Sequence, residues 1–449
     1  MTLNVVIVGA GIAGLAAAVS LRRAGHRVHI YERSGLNNEV GAAITVPPNA
    51  TRSLLAWGLD PVASRFVQAQ GIINGIGATV EQVNFTPFGG WVTGVYGAPF
   101  YYAHRVDLHD ALKALATGQE GHGEPAVVHL KSQVVAYDPE APSITLSTGE
   151  VVKGDVVIAA DGIHSIGVEA VLGKPNPPQP QELYNGCFRF LISDADLKAD
   201  PETSWWNVDG ERSGKMSIYM NGKAGNRFVS YPCRDGEVWN FVGMFHDDEL
   251  ISAGKEDWHA PVDKSHLLNS FHDFHPSLRA VLNKATEVKR WPLLYRAPVS
   301  TWTKGKMVIL GDAAHPMLPH QGQGGAQCIE DGIAFGIAMC GATSPEQIIE
   351  RLAVFEKARR FRASAIQIMS NAGVDQVDII HEQVQKYVEV VPKSHEDFAH
   401  FNWGHDIVQS TVDLVKELDP AFELPADFFS GNPHLPPPRE RADPAGDAA

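Results

Sequence analysis

Cysteine is scarce in this chain: Cys187, Cys233, Cys328 and Cys340 are the only four in 449 residues, and no two form a CxxC pair. That excludes a disulfide framework or thiolate zinc site as the organising device and points to a reducing, cytoplasmic setting. Long apolar runs are also missing. No stretch reaches the roughly 20 residues that a membrane-spanning helix needs, so no integral membrane segment is expected. The apolar start lacks a basic leader and reads as strand and turn rather than a signal peptide. Positive charge is in deficit: 37 Lys and Arg against 52 Asp and Glu leave a formal net charge of −15 and no basic stripe. Nucleic acid is therefore not expected as a partner, because phosphate binding needs clustered cations. No His, Cys and Glu cluster occurs at ligand spacing, so no metal is expected.

What is present suffices for more than one core. The length exceeds that of a usual single domain, and 44% hydrophobic with 20% charged residues is ordinary for a globular protein. Residues 4–33, NVVIVGAGIAGLAAAVSLRRAGHRVHIYER, read as strand, glycine turn, amphipathic helix and second strand. From 126 to 165 short strands alternate as a meander and return to a buried strand at 155–160. The middle, about 180–295, carries CFRFLI, KMSIYM, NRFVSYPC and EVWNFVGMF, with Asn221-Gly222 and Asp235-Gly236 at turn positions, the pattern of an antiparallel sheet. Six of nine tryptophans fall between 205 and 302, so large side chains are available there to line a pocket. KMVIL at 306–310 is a short apolar strand suited to a central parallel sheet, and helices follow, including 345–371.

Three motifs carry chemistry. Gly9-x-Gly11-x-x-Gly14 lies in a strand–turn–helix–strand context, where glycines permit a tight turn and close backbone approach to a pyrophosphate. Glu32 ends the second strand, where a carboxylate can accept from a ribose diol; its charge favours FAD or NAD over NADP at this site. Asp161-Gly162 follows the buried strand DVVIAA, and by itself reads equally as a strand ending in a turn. In VILGDAAHPMLPHQGQGGAQ, residues 308–327, Asp312 stands at a strand's carboxyl end. Pro316 and Pro319 stiffen the loop, and Gly322, Gly324 and Gly325 leave amides unobstructed. Ile329, Ile333 and Ile337 then mark a helix starting near Gly325, with Glu330 and Asp331 in its first turns, as the helix dipole favours.

In this order and spacing the motifs resemble the class A FAD-dependent aromatic hydroxylases, the para-hydroxybenzoate hydroxylase fold, and GDAAHPMLPHQGQGGAQ is most similar to the salicylate hydroxylase-like branch. The resemblance covers about residues 3–375; the last 70 or so residues add little to it. It implies an α/β fold in which a Rossmann-like FAD-binding domain is interrupted by a β-sheet substrate domain, with a helical C-terminal region. The expected portions are FAD-binding at 1–75, substrate-domain strands at 76–105, FAD-binding at 106–178, the substrate-binding antiparallel sheet at 179–295, FAD-binding at 296–375, C-terminal helices at 376–431 and a disordered tail at 432–449.

The resemblance also implies roles. Gly9, Gly11, Gly14, Glu32 and Arg33 would hold the ADP half of FAD. Arg105 in HRVDLHDAL would lie by the diphosphate or ribitol. Asp161 would belong to the family's DGxxSxxR motif, associated with binding FAD and with NAD(P)H use, although Val168 stands where its arginine falls. Asp312 would bind the ribitol. Gly322, Gly325 and Ala326 would pass the pyrimidine edge of the isoalloxazine, and Ala43, with its neighbours Ala42 and Ile44, would run beneath the flavin. NADH or NADPH would reduce FAD, O2 would form a C4a-hydroperoxide, and an electron-rich carbon of a phenolic or aromatic acid would be hydroxylated, with or without loss of its carboxylate. Dearomatising hydroxylation or epoxidation of a secondary metabolite by the same fold is the alternative.

Around the substrate, His320 would assist phenol deprotonation, or else brace its loop. Arg189 would hold a carboxylate, although an outward-facing strand arginine fits the same pattern. Tyr219, Tyr231, Trp91, Tyr101, Phe241 and Met244 would be pocket walls or plain core, and His315 is expected to be structural. A halogenase is disfavoured because SWWNVDG does not match WxWxIP. The expected partners are small molecules only, with a monomeric or homodimeric chain.

Overall fold

The computed structural model describes residues 2–36, 42–180, 184–221, 225–247 and 262–429. Gly41, Gly222 and the tail expected at 432–449 lie outside them. Asn4–Val8 is the middle of a six-stranded sheet, flanked by Val156–Ala159 and Arg27–Tyr31 in parallel, with Val5 opposite both Val156 and Val28. Met307–Ile309 extends it on one side and Val127–His129 on the other. These strands are nearly continuous Val and Ile runs because both faces are covered. Helices Ile12–Arg23 and Gly324–Met339 pack on one face so closely that a Cβ on Gly336 would sit 1.9 Å from Ser20 Oγ. The meander Val134–Asp138, Ser143–Leu146 and Val151–Lys153 forms its own antiparallel sheet, sending Ile144 and Leu146 into the same core.

A second sheet of seven strands runs in the order Lys289–Pro292, Gly186–Ser193, Val238–Phe245, Arg227–Cys233, Lys215–Met220, Gly71–Ile76, Gln82–Pro87. Gly71–Ile76 therefore belongs to this seven-stranded sheet, although the first FAD-binding portion is expected to run to 75. Conversely, Tyr101–His104 pairs with Ala43–Val46 in a separate three-stranded sheet. Alternation gives the seven-stranded sheet two unlike faces. The outer face buries Phe188, Tyr219, Phe228 and Phe241 against Trp206 and Phe271. The inner face, with Cys187, Tyr231, Val242 and Met244, looks toward the first domain.

The C-terminal helices His395–Trp403 and Ile407–Leu418 are tied into this body. Arg52 donates to the carbonyls of Tyr96, Trp403 and His405, and Arg362 to those of Phe401 and Asn402. Among the described residues no helix is long and apolar enough to cross a membrane.

Candidate functional site

Two glycine loops and the inner sheet face converge on one cleft. The first loop leaves the strand Asn4–Val8 at Gly9, whose φ of +100° and carbonyl neighbour, 2.3 Å from a built Cβ (Ala160 O), admit only glycine. Gly11 caps the next helix without any side-chain cap, and a Cβ there would meet nothing within 4 Å. The first turn thus has no side-chain cap and no bulk at Gly11, a geometry that suits an anion. Glu32 braces this loop: Oε2 accepts from the Ala10 amide at 2.9 Å and Oε1 from the Ser34 amide at 2.8 Å. His109 bonds the Ala10 carbonyl at 2.7 Å, and Arg33 is exposed at the rim.

The second loop follows the strand Met307–Ile309. Its Gly311 amide donates to Asp331 Oδ2 at 2.9 Å, which fixes the turn carrying Asp312. The Asp312 side chain is exposed, yet protein mass around it raises its carboxyl pKa by desolvation, only partly offset by His315 and Arg105. Arg105 begins a helix on the same side, and its amide donates to the Ala42 carbonyl at 3.0 Å. The helix Gly324–Met339 again has no side-chain cap, and a Cβ on Gly324 would meet nothing within 4 Å. Gly325 packs on Ile44, and Ala326 is buried behind it. Thr45 Oγ1 donates to the Gly322 carbonyl at 2.8 Å.

Behind this loop lies a charge network that the sequence reading missed. Glu330 and Asp331 were expected to serve the helix dipole; instead both are fully buried and paired with Arg359 at 0% exposure. Arg362 also reaches Glu330, at 2.9 Å. Burial pushes the Glu330 carboxyl up, but the Arg362 and Arg359 guanidiniums outweigh it and hold the carboxyl well below the usual range. Asn49 Nδ2 bridges Glu330 (2.6 Å) and Gln323 (3.1 Å), tying the network to the loop. His315 Nε2 lies 2.6 Å from Asp331 Oδ2 beneath Trp302, the structural place expected for it. Two adjacent carboxylates in an otherwise apolar helix were the available signal that buried cations would be needed.

The inner sheet face closes the cleft. Tyr231 Oη donates to the Ala43 carbonyl at 3.0 Å, and Asn240 Oδ1 accepts from the Ala43 amide at 3.2 Å, so one residue is clamped on both backbone groups. Burial pushes the Tyr231 phenol up to about 12, and its hydroxyl is already engaged; Tyr231 therefore positions Ala43. Leu318 packs with Tyr184, Val242 and Met244, and the His320 ring lies 5.4 Å from that of Tyr184. Arg227 Nε donates to Tyr184 Oη at 2.8 Å. Arg189 stacks over Trp291 at 4.5 Å, beside a cavity of about 130 Å³ lined also by Ala42, Asn240 and Lys289.

Tyr219 is not brought to this cleft. It pairs with Phe228 on the outer face, where its hydroxyl accepts from Arg212 at 2.8 Å. Phe241 shares that face, and Trp91 is 44% exposed with its indole N–H on the Pro87 carbonyl. Tyr101 packs on Phe66 in the first core. Asp161 ends the strand Val156–Ala159 beside the first loop, with Oδ2 accepting from Tyr137 Oη at 2.9 Å.

Residues 2–370 match the family model described as FAD binding domain. The chain is 45% identical over 429 residues to the FAD-dependent monooxygenase cfoG of Aspergillus candidus, covering 95% of this chain and 98% of that one. It is 34% identical to hispidin-3-hydroxylase of Neonothopanus nambi, over 81% of this chain and 87% of the relative. The crystal structure of CtdE in complex with FAD and a substrate superposes with a TM-score of 0.74 at 22% identity, over 93% of this chain and 100% of that one. The residues present fit FAD: two uncapped helix N-termini, Cβ-free cradles at Gly11 and Gly324, and the Asp312 carboxylate opening between them.

Proposed function

Because this chain belongs to the FAD-binding family of class A aromatic hydroxylases, flavoprotein monooxygenases, we propose that it hydroxylates a phenolic substrate at the expense of NADH or NADPH and O2. The observation that carries the reading is the cavity of about 130 Å³ lined by Ala42, Arg189, Asn240, Lys289 and Trp291. Its guanidinium, Arg189, stacks on Trp291 and is registered opposite Val242, which belongs to the buried apolar cluster with Met244, Leu318 and Tyr184, the last in contact with the His320 ring. A planar aromatic with one ionisable hydroxyl suits such walls.

FAD, when bound and reduced, supplies the oxygen chemistry. The Gly11 end of the first helix, Glu32 and Arg33 receive its ADP half, and Arg105 and Asp312 receive the diphosphate and ribitol. The amides around Gly322–Ala326 would receive the pyrimidine edge, where a helix N-terminus favours negative charge without a lysine. Tyr231 and Asn240 hold the Ala43 backbone, which would run beneath the bound ring system. His320 takes the phenolic proton on a ring nitrogen, raising electron density at the carbon to be hydroxylated. Arg189 orients an acidic substituent. Closely fitted apolar walls exclude water from the reacting edge.

The test is to record the flavin spectrum of purified protein and follow NADH and NADPH oxidation with a panel of phenols and hydroxybenzoates, analysing products and CO2. Substrate-stimulated flavin reduction with one oxygen added to the ring is expected. If no phenol accelerates reduction, the substrate assignment falls. Loss of ring aromaticity in the product would favour dearomatising chemistry instead.

A further inference from the structure

The strand Val238–Phe245 carries one polar side chain, Asn240, among apolar residues and a glycine, and that residue is 1% exposed. It alternates with Phe241 of the outer face, so it lies on the inner one, where it borders the cavity of about 130 Å³. Its amide has one possible orientation. Oδ1 accepts from the Ala43 amide at 3.2 Å, and a turned amide would set two N–H donors against each other. Nδ2 is therefore fixed as a donor, and among the described residues it meets no acceptor. Strand register puts Arg189 diagonal to it: Arg189 is opposite Val242, two residues along from Asn240 on the same face. Arg189 Nε is likewise buried without an acceptor, while the guanidinium stacks on Trp291. Lys289, opposite Arg189, lines the cavity too, with Thr286 and one carboxylate, Glu287. A buried donor left unmade is costly, and two on one cavity wall call for an acceptor carried by a ligand.

We propose that Asn240 is a specificity-determining residue: Nδ2 donates to a carbonyl or carboxylate oxygen of the aromatic substrate, so the cavity selects rings that carry such an acceptor besides the hydroxyl. An amide, unlike a guanidinium, needs no charge in its partner. A neutral ketone and a carboxylate are thus both served at Asn240, while only the carboxylate gains from Arg189 and Lys289. The volume is close to the ~150 Å³ that holds benzene inside a protein, which is room for one ring. One side chain then has two tasks, with Oδ1 placing Ala43 and Nδ2 reading the substrate. The inference rests on reading this cavity as the substrate site.

The experiment compares ligands in pairs on the FAD-loaded enzyme, with dissociation constants read from the perturbed flavin spectrum. Hydroxyacetophenones and hydroxybenzoates are set against ethylphenols of the same ring substitution, which match the ketone in shape but carry no acceptor. The wild-type enzyme is expected to bind the best hydroxyacetophenone about tenfold more tightly than its ethylphenol, the weight of one buried hydrogen bond. Asn240→Ala should erase that preference, leaving hydroxybenzoates only the advantage that Arg189 supplies. Tyr231→Phe removes the other hold on Ala43 but no donor at Asn240, so it should keep the preference. Equal binding of ketone and ethylphenol by the wild-type enzyme overturns the proposal without any variant. So does a preference that survives Asn240→Ala, or one that Tyr231→Phe abolishes as fully, since Ala43 would then be its cause. Weakened FAD with the preference intact in Asn240→Ala gives the donor to the cofactor and overturns the proposal as well. If no phenol of any kind perturbs the flavin or accelerates its reduction, the substrate reading itself falls, and this inference with it.

Discussion

The two glycine loops reach the same cleft but are held by different physics. The first is held locally: Gly9 at φ +100°, a carbonyl 2.3 Å from where a Cβ would be, and Glu32 reaching back to the Ala10 amide. The second is held from far away in sequence: Asp331 fixes the Gly311 turn, while Arg359 and Arg362, from the helix Pro345–Met369, neutralise the two carboxylates behind it. Damage to the first should therefore be felt mainly by the ligand, and damage to the support of the second by the fold.

The largest effect should come from Arg359→Ala. It leaves two fully buried carboxylates short of a cation, and removing one partner of a buried pair costs about 3–5 kcal/mol. Denaturant unfolding measures this, and a loss below about 1 kcal/mol would put the network's weight elsewhere. Next comes a pair within the first loop. Gly9→Ala should cost about 1–3 kcal/mol through backbone strain. Gly11→Ala, with open space around its Cβ, should as apoprotein melt nearly as wild-type apoprotein yet bind FAD poorly. Equal melting losses would erase the distinction between a strained turn and a ligand-facing one.

Asp312→Ala should purify largely as apoprotein while that apoprotein is at least as stable as wild-type apoprotein, because a desolvated carboxyl has been removed. Full FAD occupancy would contradict the role given to it. The smallest effect is in pH dependence. Burial, with Arg362 nearby, pushes the His405 imidazole down to about 3, whereas unfolded it titrates near 6.5. The unfolded chain thus binds the extra proton first as pH falls, so stability is complete above about pH 6.5 and declines toward pH 3. Melting curves from pH 7 to 5 should flatten in His405→Gln; identical slopes would remove His405 as the source.

Much of the first loop was legible because its grammar is short-range: strand, glycines and terminal acid lie within 30 residues, and sterics dictate the turn. The strand meander and the antiparallel middle were legible for the same reason, since alternation and turn dipeptides are local. Which face of a strand meets the cleft was not. Tyr219 and Tyr231 lie on neighbouring strands, but register sends one to an aromatic core and the other to Ala43. Nor did Tyr137 stand out, because a tyrosine in a short exposed strand has no local pattern that names Asp161 as its partner.

The sequence by itself determined the parallel core, the two uncapped helix starts and the acid at the end of each motif strand, because steric and hydrogen-bonding rules for turns and helix ends operate over a few residues. Only the tertiary structure decided that Glu330 and Asp331 face Arg359 rather than water, that Tyr231 and Asn240 clamp Ala43, and that Tyr137 donates to Asp161. Those pairings join residues 24 to almost 200 positions apart. A buried charge or donor is satisfied by whatever packing brings to it, which no local rule contains.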